Sequence, residues 1–83
     1  MSFGKKRLTA KEVRTILKTL GFRPQGGKGT GSGHESWVPV DETGPFRKVT
    51  VDAHVAPFGH DLIRYMAHQA GVSVKEFYDA LNK

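Results

Sequence analysis

The residues best suited to chemistry lie in "GGKGTGSGHESW", Gly26 to Trp37, where five glycines and Lys28 precede His34. An imidazole takes or gives a proton near neutrality, so His34 is the natural candidate for acid–base work. Glycines let a backbone approach a ligand closely, and successive N–H groups can cradle a phosphate. Lys28, together with Lys48 further on, offers positive charge for a pentacovalent phosphate. Composition alone also allows a plainer reading: a hairpin connection that ends in a surface histidine.

Familiar nucleotide motifs do not fit. In a Walker A loop Ser or Thr would follow the lysine, but Gly29 follows Lys28, and Phe22 stands where the first glycine belongs. No G-x-G-x-x-G window occurs. His54, His60 and His68 lack metal-ligand spacing and are not all on one element, and there is no cysteine, so no metal or cofactor is expected. His60 is expected to cap the second helix or bond locally, and His68 to be a solvated helix residue.

The charge is uneven. Through Gly33 eight basic residues face Glu12 alone, a balance of +7; from His34 onward five basic residues face seven acidic ones, a balance of −2. A basic half of this kind suits a polyanion such as RNA, because neutralising phosphates releases counterions. Arg23, Lys11 and Arg14 join Lys28 and Lys48 as expected phosphate contacts. An acidic protein partner would suit the same surface. With neither an apolar leader core nor a spanning run, the chain reads as soluble and cytoplasmic.

Eighty-three residues leave room for one small core. Residues 1–7 read as a basic arm and residues 8–83 as one domain. From Leu8 to Gly21, Thr9 and Glu12 make a capping box and Leu8 with Val13 a hydrophobic staple; Val13, Ile16, Leu17 and Leu20 repeat at helical spacing. Strands are expected at Phe22 to Gln25, with Pro24 marking an edge, at Gly33 to Val40, and along "FRKVTVDA" after a turn at Asp41 to Pro45. Leu62, Ile63, Met66, Ala67 and Ala70 mark a second helix ended by Gly71. Ser73 with Glu76 caps a third. The expected fold class is α+β, in the order α-β-β-β-α-α, with a three-stranded antiparallel sheet covered by helices on one face.

Strand parity then assigns the faces. Trp37 is expected in the core, and His34, three residues earlier, points to the opposite, open face with Ser36. Lys48 and Thr50 should join them there, since Val49 and Val51 face inward.

The runs "LTAKEVRTILKTLGF", "GSGHESW", "VTVDAH" and "DLIRYMAHQAGVSVKEF" together resemble the HicA family of bacterial toxins, over Leu8 to Leu81. Three positions differ from the family pattern. Gly33 separates Ser32 from His34, Asp52 replaces a proline, and Gly59 to Leu62 reads Gly-His-Asp-Leu in place of Gly-Thr-Leu.

The resemblance implies an endoribonuclease that cleaves mRNA, the toxin of a type II toxin–antitoxin pair, on a double-stranded-RNA-binding-domain-like fold. It implies His34 as the catalytic residue, Trp37 as its core aromatic, and Gly31, Ser32 and Gly33 as the adjoining loop. A HicB-type antitoxin is the implied partner, and the free toxin is expected to be a monomer. The competing expectation is a non-catalytic RNA-binding module, since the same α-β-β-β-α order serves double-stranded RNA recognition.

Overall fold

The computed structural model describes residues 7–25 and 34–82. Of the expected basic arm, only Arg7, which is exposed, falls within them. Leu8 already belongs to the core: it is fully buried and pairs with Phe58, the two exchanging backbone hydrogen bonds of 3.3 and 2.7 Å.

Helix α1 (Ala10–Thr19) starts where the sequence says it should. Thr9 Oγ1 accepts from the Glu12 N–H at 3.1 Å, and the Thr9 N–H donates to Glu12 Oε1 at 2.9 Å, so two otherwise orphaned donors are satisfied reciprocally. Gly21, at φ +93°, takes the left-handed turn that ends the helix.

Three antiparallel strands follow, in sheet order β1 (Phe22–Pro24), β2 (His34–Pro39), β3 (Val49–Asp52). Pro24 sits on an edge strand, where its missing donor is harmless. Gln25 lies just past β1 yet still donates to the Ser36 carbonyl at 2.7 Å. The third strand is shorter than the alternation in "FRKVTVDA" suggests. Trp37↔Val49 is the first residue pair of β2 and β3 at that end, so Phe46, Arg47 and Lys48 precede the ladder. Asp41 Oδ1 shapes the turn between β2 and β3, accepting from the Thr43 N–H at 2.9 Å and its hydroxyl at 2.6 Å.

A 3-10 turn at Ala53–Val55, which the sequence reading lacks, leads from β3 toward α2 (His60–Ala70). The cap of α2 is Gly59, with no side-chain capping bond, so His60 is its first residue and not its cap. Leu62 also departs from expectation. It is 41% exposed, because the buried stripe of α2 runs through Ile63, Met66, Ala67 and Ala70. Gly71, at φ +80°, ends the helix, and Ser73 with Glu76 forms the second capping box, opening α3 (Val74–Asp79).

The fold is thus α+β, a three-stranded antiparallel sheet with three helices. Phe22, Trp37, Val49 and Val51 point from one sheet face into a single cluster with Ile16, Leu17, Ile63, Met66 and Phe77. Helix α1 packs by β1 and α2 by β3, and no described helix lies on the other face. No described helix is long and apolar enough to cross a membrane.

Candidate functional site

The faces of β2 are set by what its alternate residues touch. Trp37 is 1% exposed, and its indole N–H donates to Glu35 Oε1 at 3.0 Å. Arg14 of α1 reaches the same carboxylate, its Nε 3.1 Å from both oxygens and its Nη2 on Oε2. Glu35 and Trp37 therefore lie on the helix-covered side. The Arg14 hydrogen bond outweighs partial burial and holds the Glu35 carboxyl below its ordinary value, with the Trp37 bond adding to the effect; Arg14 is raised in turn by Glu35. Glu35 is ionised and held, so it is a clamp on β2 and not a proton donor.

The alternate residues His34, Ser36 and Val38 face the open side. Register places Asp52 opposite His34, Thr50 opposite Ser36 and Arg23 opposite Val38, so all six share one face. His34 is well exposed, with 60% of its side chain accessible. Its Nε2 lies 3.5 Å from Asp52 Oδ2. Asp52 is itself fixed: Oδ1 accepts the His54 N–H at 3.0 Å and caps the 3-10 turn. One carboxylate thus terminates β3 and faces an imidazole across the ladder.

The other expected site residues are spread out. Arg23 is exposed on the open face, 3.5 Å from Glu42, and sits across from Val38, four residues along β2 from His34. At about 3.3 Å per residue that is about 13 Å. Lys48 is exposed and four residues from Asp52, a similar displacement, so the structure does not bring it beside His34. Arg14 is engaged by Glu35 on the covered side, and Lys11 is exposed on α1. Lys28, Gly31, Ser32 and Gly33 lie outside the described residues.

Two participants escaped the sequence reading. Alternation puts Asp52 on the outward face of its strand with Lys48 and Thr50 but does not pair it with His34, and nothing local singles out Glu35 although it neighbours His34. Parity would have separated Glu35 from His34. Its bond to Arg14, 21 residues away, had no local signal. His54, His60 and His68 are exposed, and among the described residues no cluster of three or more histidine or acidic side chains could hold a metal ion.

Chemically, the arrangement offers an accessible imidazole with a carboxylate behind it, on the sheet face that no described helix covers, with cations toward its far end. Comparison with protein-family models, curated proteins and solved structures gives no match for this chain.

Proposed function

We propose that the chain is an endoribonuclease of the HicA type, a toxin that cleaves mRNA and is neutralised by a HicB-type antitoxin. The observation that carries this reading is the outward placement of His34 against Asp52 on the sheet face that no described helix covers. The order of elements agrees with a double-stranded-RNA-binding-domain-like fold, and the resemblance in sequence runs nearly end to end.

In the proposed reaction His34 takes the proton of a ribose 2′-OH. The 2′ oxygen attacks the adjacent phosphorus, the bond to the 5′ oxygen breaks, and the products are a 2′,3′-cyclic phosphate and a 5′-hydroxyl protonated by solvent water, to which His34 in turn releases the 2′ proton. Asp52 orients the imidazole. Lys28 and the amides of the preceding loop are assigned to the developing charge on the phosphate. Arg23 and Lys48 hold the strand further along the face. The site is proposed to act in the cytoplasm, as a monomer until the antitoxin binds.

His34→Ala tests the reading. Cleavage of single-stranded RNA should fall by at least about 100-fold, the lower end of what acid–base assistance contributes, with the circular dichroism spectrum unchanged. Equal cleavage by the variant would overturn the role of His34. A protein that binds RNA in a salt-sensitive way but never cuts it would be the non-catalytic module instead.

A further inference from the structure

Val38 belongs to the open face by register, yet it is only 7% exposed. Its cover is the turn after β2: Val38 floors a groove of about 290 Å³ whose walls include Arg23, Gln25, Glu42, Pro45 and Phe46. Phe46 is 78% exposed, the most exposed of the large apolar side chains described. Arg23 and Glu42 face each other at 3.5 Å with 47% and 79% of their side chains exposed, so most of their hydrogen-bonding capacity is open to a ligand.

We infer that this groove holds one unpaired guanine base of the RNA strand, a proposal that rests on the ribonuclease reading for the strand itself. Its volume is at the small end of ligand clefts, roughly 300–1,000 Å³, which suits one base and not an extended ligand. Exposed aromatic rings are what single-stranded RNA stacks upon, and Phe46 supplies one. Asp41 and Glu42 repel phosphate, so the base enters and the backbone stays outside.

Guanine fits the polar pair better than the other bases. Its O6 and N7 accept from an arginine, while its N1–H and N2–H groups donate to a carboxylate. Arg23 and Glu42 present that donor and acceptor side by side. Adenine places an amino group where guanine has O6, which sets donor against donor at Arg23. The groove lies about 13 Å from His34 along β2, so it takes a nucleotide near the scissile one and not the scissile one itself.

The test is a titration of the isotope-labelled full chain with GMP, AMP, CMP and UMP, read by amide NMR; the shared phosphate cancels in the comparison. GMP should shift the Gln25, Val38 and Phe46 amides most. Phe46→Ala and Glu42→Gln should each weaken GMP by about tenfold or more, with distant resonances unmoved because both side chains are exposed. Equal shifts from all four nucleotides, or a Phe46→Ala protein that binds GMP unchanged, would overturn the inference. RNA cleavage is scored separately: an unsubstituted protein that cuts nothing sinks the ribonuclease reading, while the titration still decides the groove.

Discussion

Asp52 stands directly across the ladder from His34, its Oδ2 3.5 Å from the imidazole Nε2, while its Oδ1 is tied to the His54 N–H. The second bond matters to the first. It fixes the carboxylate plane, so that one oxygen is presented to His34 without the entropy of holding a loose side chain.

Asp52→Asn should therefore lower kcat by about tenfold or more, because the carboxylate that orients the imidazole is lost, and leave KM nearly unchanged. A purely structural role would instead lower the folded fraction. Imidazole ¹⁵N shifts separate the two: in the unsubstituted protein neutral His34 should carry its proton on Nε2, toward Asp52, and in Asp52→Ala that bias should disappear.

Arg14 and Arg23 should respond differently to removal, although both were expected at RNA. Arg14→Ala breaks a clamp inside the fold and should cost about 1 kcal/mol of stability by urea denaturation. Arg23→Ala should leave stability within about 0.5 kcal/mol and act on RNA affinity instead.

Acid should loosen the same clamp. Glu35 binds its proton less tightly when folded, so its contribution is present above the ordinary value of 4.5 and is lost as pH falls through the lower folded value. Urea midpoints measured from pH 7 down to about 3 should decline below about 4.5, and Glu35→Gln should flatten that part of the curve. An unaltered slope in Glu35→Gln would remove Glu35 from the account.

The two left-handed glycines should respond alike to a methyl group, although their surroundings differ. A Cβ at Gly21 meets nothing within 4 Å, so Gly21→Ala carries only the backbone strain of about 1–2 kcal/mol. A Cβ at Gly71 would come within 2.5 Å of the Arg47 guanidinium carbon, which packs across the end of α2. Arg47 is exposed and its guanidinium can swing aside, so Gly71→Ala should lower the melting temperature by about as much as Gly21→Ala, the backbone strain being common to both.

What the sequence made legible was what its short-range chemistry controls. Thr9 with Glu12 and Ser73 with Glu76 close their boxes within three residues, so both helix starts could be read directly. The facing of His34 and Trp37 followed from the two-residue period of a strand. Strand length did not, because β3 begins only where β2 stops pairing with β1, a property of two partners at once. Leu62 misled for a similar reason: helical spacing defines a stripe but not which flank of it turns to the sheet. The Arg14–Glu35 clamp and the His34–Asp52 pair both join residues far apart in the chain, and only the assembled sheet discloses them.

The odd separation of His34 from Trp37 has a consequence for how this protein can change. Because successive residues of β2 alternate between faces, inserting or deleting one residue between the two would turn the indole to solvent or the imidazole to the interior. Insertions and deletions within this segment can preserve both sides only in steps of two. Screens for loss of activity and for loss of folding should therefore draw their point substitutions from interleaved positions of the same six-residue strand.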